Sequence, residues 1–206
     1  MCIRDRTNPV YDKLRNCYDS IKAKIPFEPK VALVLGSGLG DYAEQLEIQG
    51  TIDYRDIEGF PVSTVPGHKG RFVFACINGV PAVLMQGRVH YYEGYPMSDV
   101  VLPVRLMKLM GAKVLFLTNA AGGINYDYGA GDFMLIKDQI SCFVPSPLIG
   151  PNLEELEPRF PDMSHIYDED LRDIIRSTAS GLGIRIQEGV YVQLTGPAYE
   201  LSLIHI

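Results

Sequence analysis

The sequence predicts an α/β fold in which helices flank a mixed, twisted central sheet. Residues 31–35 and 114–117 are short apolar segments of the buried-strand type, and each leads directly into small residues rich in glycine. A buried strand that opens through glycines is typical of the parallel strands of α/β folds. Asn78-Gly79 lies between two further strand-like segments and predicts a hairpin, hence antiparallel pairing in the same molecule. Together these observations favour a mixed sheet.

The first helix is predicted over residues 9–23. Asn8 can cap it, and Pro9 is tolerated at the first helical position. Apolar residues then recur at helical spacing. Pro103 either starts or kinks another helix, and the pattern leaves both alternatives open. The further helices are predicted over 41–46, 98–110 and 168–180.

Strands are predicted over 31–35, 71–77, 80–86, 114–117, 133–140 and 189–194. No repeat, low-complexity stretch or linker interrupts this order. One domain over residues 7–200 is therefore predicted.

Composition and charge narrow the class of protein. The chain of 206 residues has a net charge of −6, which argues against a nucleic-acid binder with a basic face. No apolar run approaches the ~20 residues that span a bilayer, and residues 1–6 are too charged for a signal peptide. Four cysteines lack the spacing of metal or redox motifs, which is typical of free thiols. We expect a cytoplasmic protein without nucleic-acid or membrane partners.

Two glycine-rich segments, at 36–40 and 119–123, follow predicted strands. Glycines let backbone N–H groups approach an anion, and Ser37 adds a hydroxyl donor. Taken alone, either segment is more typical of a tight turn than of a ligand site. Neither is a phosphate loop of the Walker type, and the first has its glycines as GxGxG rather than GxGxxG. The segments therefore predict no nucleotide cofactor.

A polar cluster favours an anion site. His68 lies in a loop that proline and glycine make rigid, and Arg88, His90 and Tyr92 alternate after an apolar segment. In an extended backbone, alternating residues point to one side. Arginine suits fork-like recognition of phosphate through charge-assisted hydrogen bonds. With Ser37, these residues predict that an oxyanion binds here.

Two other chemistries are disfavoured. His68 and His90 lie far apart in sequence, without an HxxxH pair and without Cys or carboxylate at ligand spacing, so no metal site is predicted. Ser37 lies in GSGLG rather than in the GxSxG turn, so the sequence gives a serine hydrolase little support.

Five motifs together resemble the trimeric class of purine nucleoside phosphorylases. They are GSGLG at 36–40, VPGHKGRF at 65–72, GRVHYYEGYP at 87–96, TNAAGG at 118–123 and GPAYE at 196–200. They occur in the order of the family, and TNAAGG separates the chain from the related methylthioadenosine phosphorylases. The resemblance implies phosphorolysis of purine nucleosides, with inosine and guanosine as expected substrates. It also implies a phosphorylase-type α/β sandwich, a homotrimer and no cofactor, since phosphate is a co-substrate.

The resemblance also implies roles for individual residues. Phosphate would be bound by Ser37, His68, Arg88, His90 and the backbone at Ala120. The nucleoside would be bound by Tyr92, Ala121, Gly122, Tyr199 and Glu200. The expected catalytic residues are His90, Asn119 and Glu200.

The resemblance ends after Glu200, and residues 1–6 and 201–206 match nothing in the family. These ends are predicted to be foreign, and the fold to be incomplete at the C-terminus. The remainder of the family pattern would supply residues that contact the purine, the ribose and the phosphate. A weak or inactive chain is therefore expected. Two alternatives stay open: a phosphorylase acting on xanthosine or adenosine derivatives, and a non-catalytic module that binds nucleoside or phosphate.

Overall fold

A computed structural model describes residues 8–64, 69–156 and 158–196. The chain divides after Ala120 into two compact units, and each is described by itself. The predicted fold class is confirmed, since helices flank a sheet of mixed strand direction. The single domain over 7–200 stays a prediction.

Among the residues that the structure describes, five strands form the sheet of the first unit. They are β1 (Val31–Val34), β2 (Ile48–Asp53), β3 (Arg71–Ile77), β4 (Val80–Gln86) and β5 (Val114–Leu117). Their spatial order is β2-β3-β4-β1-β5. β1 is parallel to both β4 and β5, whereas β3 is antiparallel to both β2 and β4. The sheet is therefore parallel on one side and antiparallel on the other.

The predicted hairpin joins β3 to β4. Asn78 and Gly79 both have positive φ, at 50° and 80°. That is the backbone of the tight turns that match the twist of paired strands, and Asn-Gly adopts it most readily. The register places Arg71 opposite Gln86 at the far end of the hairpin.

Within its described residues, the first unit has three α-helices: α1 (Pro9–Ile21), α2 (Met97–Val100) and α3 (Leu102–Leu109). The side chain of Asn8 caps α1 by accepting a hydrogen bond from the amide of Val10, at 3.1 Å. Pro103 lies in the first turn of α3, so it starts the regular helix, and the predicted helix over 98–110 is divided in two. The segment predicted as a helix over 41–46 is a 3-10 helix, Gly40–Gln45.

Aromatic side chains fill the core beside β3. Tyr54 is 1% exposed, and its ring lies 4.9 Å from the rings of both Phe60 and Phe72. Such tilted and edge-on pairs contribute about 1 kcal/mol each beyond the burial of their area. This cluster packs at the end of the sheet at which the described residues of the predicted polar cluster lie.

The second unit contains a parallel pair of strands, β6 (Phe133–Ile140) and β7 (Ile186–Val192), with helix α4 (Glu169–Gly181) between them in sequence. Asp168 caps α4 by accepting from the amide of Leu171 at 2.9 Å. β7 begins before the predicted residue 189. Within the described residues, none of the helices has the length and apolar character to cross a membrane.

Candidate functional site

The carboxyl ends of β1, β4 and β5 lie at one edge of the sheet, because the three strands are parallel. The chain leaves them through residues 35–40, 87–93 and 118–120. In open α/β sheets, ligands bind outside the carboxyl ends of the strands. The topology thus brings together three of the segments that the sequence singles out.

Hydrogen bonds fasten the segment after β1 to the segment after β5. Thr118 Oγ1 donates to the carbonyl of Val34 and accepts from the amide of Gly36, both at 2.8 Å. A Cβ on Gly36 would lie 2.7 Å from the carbonyl oxygen of Thr118, so only glycine fits. Gly36 is therefore required by packing, and its amide is already bonded to Thr118.

Ser37 lies in the turn that follows. The amide of Leu39 donates to the carbonyl of Gly36 at 3.1 Å, and Gly38 has φ of 82°. A turn whose third residue has positive φ favours glycine there. The side chain of Ser37 is exposed at this turn, in a position from which its hydroxyl can donate to an anion.

Arg88 connects β4 to the same turn. Its Nη1 donates to the carbonyl of Leu35 at 3.1 Å, so the guanidinium lies beside the start of the glycine segment. The preceding residue is held by the buried Tyr54, whose hydroxyl donates to the carbonyl of Gly87 at 2.8 Å. The structure thus brings Arg88 to the segment that leads into the turn of Ser37.

His90 and Tyr92 lie side by side. Their rings are stacked, with centroids 4.9 Å apart and an interplanar angle of 15°. The expected extended alternation is wrong beyond His90, because Tyr91–Glu93 forms a 3-10 helix. Stacking nevertheless brings the two side chains together, and Tyr92 is 43% exposed and accessible to a ligand.

Sequence reasoning missed Glu93. Its Oε1 accepts from the amide of His90 at 2.7 Å and faces Nδ1 of His90 at 3.0 Å, while Oε2 accepts from the amide of Thr64 at 2.6 Å. Burial raises the pKa of Glu93, but the hydrogen bonds from Thr64 and His90 outweigh it and hold the pKa at about 2. An ionised carboxylate only accepts, so Nδ1 of His90 is the donor. Glu93 therefore sets both the orientation and the tautomer of the imidazole.

The remaining predicted residues are placed as follows. Asn119 and Ala120 are exposed after β5, and Asn119 Nδ2 donates to the carbonyl of Ala120 at 3.2 Å. Ala121 and Gly122 are exposed residues of the second unit. His68, Tyr199 and Glu200 lie outside the described residues.

In the part of the chain that the structure describes, no three His, Cys, Asp or Glu side chains are grouped to hold a metal ion.

A family model described as "Phosphorylase superfamily" matches residues 30–201. The chain is 48% identical over 189 residues to purine nucleoside phosphorylase 1 of Bacillus subtilis (strain 168), covering 92% of this chain and 70% of that relative. It is 49% identical over 177 residues to purine nucleoside phosphorylase of Bos taurus, covering 84% of this chain and 61% of the relative.

Solved structures are also similar. One is isoform 2 of purine nucleoside phosphorylase from Schistosoma mansoni, in complex with cytosine and ribose-1-phosphate. Its TM-score is 0.86 at 40% sequence identity, over 95% of this chain and 70% of that one. The match therefore extends over most of the described residues, in both sequence and fold.

Proposed function

The chain belongs to the phosphorylase superfamily, and we propose that it acts as a purine nucleoside phosphorylase. This pentosyltransferase activity moves ribose or deoxyribose from a purine to inorganic phosphate, giving free base and pentose 1-phosphate. The observation that carries the proposal is that Arg88, the Ser37 turn and the His90–Glu93 pair all follow strands whose carboxyl ends lie at one edge of the sheet. The shared name of relatives at 41–50% identity favours this enzyme over a binding module without turnover.

Phosphate would bind at that edge. Arg88 supplies a fork of donors, Ser37 a hydroxyl, and His90 an imidazole held by an ionised carboxylate. Charge-assisted hydrogen bonds are roughly twice as strong as neutral ones. His68 and the backbone at Ala120 are proposed to complete the phosphate site.

The reaction requires phosphate beneath the anomeric carbon. Fixing the nucleophile there removes much of the entropic barrier, which can be worth several kcal/mol. As the glycosidic bond lengthens, the sugar gains positive charge, and the phosphate dianion stabilises it electrostatically. The C–N bond breaks as phosphate oxygen bonds to the sugar, and the base leaves with the electron pair.

Nucleoside contacts are assigned by the resemblance of the motifs. Tyr92, stacked on His90 and partly exposed, is proposed to contact the ribose. Asn119 is proposed to act where phosphate and sugar meet, and Glu200 to accept a hydrogen bond from the purine. Ala121, Gly122 and Tyr199 are proposed to line the base pocket. A carboxylate at the base favours 6-oxopurines, so inosine and guanosine are the proposed substrates.

Three further properties are part of the proposal. The reaction is proposed to need neither metal nor organic cofactor, with inorganic phosphate as the nucleophile. The protein is proposed to assemble as a homotrimer and to reside in the cytoplasm. Sedimentation of the purified chain tests the trimer, which would have three times the mass of one chain.

The phosphate dependence of turnover tests the proposed function. Arg88→Ala should raise the phosphate KM by about ten-fold or more, because one lost charge-assisted contact is worth 1.5–3 kcal/mol. Arg55→Ala is the matched control, since Arg55 is an exposed arginine on the 3-10 helix Tyr54–Asp56. An unchanged phosphate KM in Arg88→Ala would remove Arg88 from the phosphate site. Hypoxanthine release from inosine without phosphate would contradict phosphorolysis itself.

A further inference from the structure

We propose that Glu44 is a positioning residue for phosphate binding, which holds the segment after β1 against the ends of β3 and β4. The inference rests on the proposed function and deepens it, because it names what keeps the phosphate-binding segments in place. Glu44 lies in the 3-10 helix Gly40–Gln45, directly after the turn that carries Ser37. No motif of the sequence singles it out.

One oxygen of Glu44 accepts three hydrogen bonds. Lys69 Nζ lies 2.6 Å from Oε1, Arg71 Nη2 lies 2.7 Å from it, and Gln86 Nε2 lies 2.8 Å from it. The hydrogen bonds from Lys69 and Gln86 hold the pKa of Glu44 at about 2, so the carboxylate is ionised at neutral pH. Two cations and one amide therefore converge on a single carboxylate oxygen.

Gln86 makes this network more than a surface ion pair. It is only 2% exposed, and its amide nitrogen donates to Glu44 and also to the carbonyl of Gly40 at 2.8 Å. Its oxygen accepts from Nε of Arg71 at 2.8 Å. A buried amide that loses a partner carries a desolvation cost, so the three side chains hold one another in a single arrangement.

The network touches three segments of the proposed phosphate site. Gly40 directly follows the turn of Ser37, Lys69 follows His68 in the sequence, and Gln86 ends the strand that leads to Arg88. β3 and β4 are already paired at this point, with Arg71 opposite Gln86. Glu44 attaches the segment after β1 to this pair of strands. Without its charge, the turn of Ser37 would lose a principal link to the strand ends that precede Arg88 and follow His68.

Glu44→Gln tests this role, because it keeps the size of the side chain and removes its charge. We expect the Kd for inorganic phosphate, measured by calorimetry, to rise about ten-fold. Hydrogen exchange should accelerate in peptides covering 36–46 and stay unchanged in β7. Glu47→Gln, an exposed glutamate three residues away, is the matched control and should change neither measurement. Glu44→Asp, which restores the charge, should recover part of the affinity.

Three outcomes would overturn the inference. In the first, Glu44→Gln binds phosphate as tightly as the unsubstituted chain, and only the role of Glu44 fails. In the second, hydrogen exchange accelerates throughout both units, which shows a general structural role rather than local positioning. In the third, the unsubstituted folded chain binds no phosphate, and the proposed function fails together with the inference.

Discussion

Oε1 of Glu93 lies 2.7 Å from the amide nitrogen of His90 and 3.0 Å from its Nδ1, so one carboxylate oxygen holds both the backbone and the ring of the same residue. Oε2 of Glu93 is occupied by the amide of Thr64. The ring of His90 cannot turn without breaking its contact at Nδ1. The pair supplies a preorganised imidazole at the edge of the sheet where phosphate is proposed to bind.

Loss of the Glu93 charge should impair the reaction. Glu93→Gln retains an acceptor but can present its amide to Nδ1 of His90, which removes the preference for one tautomer. We expect kcat/KM for phosphate to fall at least about ten-fold, since a hydrogen bond to a charged group is worth 1.5–3 kcal/mol. Steady-state kinetics with varied phosphate measure the effect. Glu58→Gln, at an exposed site, is the control, and equal activities of the two variants would contradict this role of Glu93.

The carboxylate of Glu93 should make the stability of the folded chain depend on pH in the acidic range. The pKa of Glu93 is about 2 in the folded chain against an ordinary value of 4.5, so its stabilising contribution is complete above pH 5 and is lost as the pH falls towards 2. Urea unfolding should show Glu93→Gln less stable than the unsubstituted chain at pH 7, with the gap narrowing below pH 5. A stability difference between the two proteins that does not change with pH would contradict the low pKa of Glu93.

Removal of one buried hydroxyl should destabilise the first unit. Tyr54→Phe leaves the ring cluster intact but removes the donor to the carbonyl of Gly87. We expect a loss of about 1–2 kcal/mol in the free energy of unfolding, the cost of leaving a partly buried acceptor without its donor. Denaturant titration measures it. Tyr42→Phe, at a tyrosine that is 36% exposed, should be neutral, and equal stability of the two variants would refute the prediction.

Two glycines of one motif should respond differently to alanine. A Cβ on Gly36 would lie 2.7 Å from a backbone oxygen of Thr118, whereas a Cβ on Gly40 would meet nothing within 4 Å. Gly36→Ala should cost about 1–3 kcal/mol through overpacking, and Gly40→Ala should be tolerated. Thermal unfolding of the two variants measures the difference in their melting temperatures. Equal melting temperatures would show that the segments after β1 and β5 are not packed as described.

The sequence predicts much of the fold because its signals there are local. The bounds of β3, β4 and β5 coincide with the predicted ranges, and Asn8 caps α1 as expected. β2 was missed, because Gly50 and its polar neighbours in IQGTID interrupt the pattern of a strand. β2 forms because β3 supplies a partner, which a local pattern does not contain.

The sequence predicts the candidate site through its residue types, and it predicts the geometry of the site only in part. Arg88, His90 and Tyr92 are predicted as site residues because cations and aromatic residues beside glycine are unusual after an apolar strand. The sequence does not single out Glu44 and Glu93, because glutamates are common and the contacts of these two depend on partners far away in sequence. Thr64 and Glu93, for example, are brought together only by folding.

The identity of the sugar product tests the central claim most directly. Inosine and inorganic phosphate would be incubated with the purified chain, and phosphorus NMR and chromatography would follow pentose 1-phosphate and hypoxanthine. The proposed function predicts that the two appear in equal amounts, and only when phosphate is present. Free ribose without pentose 1-phosphate, or hypoxanthine released in the absence of phosphate, would contradict it.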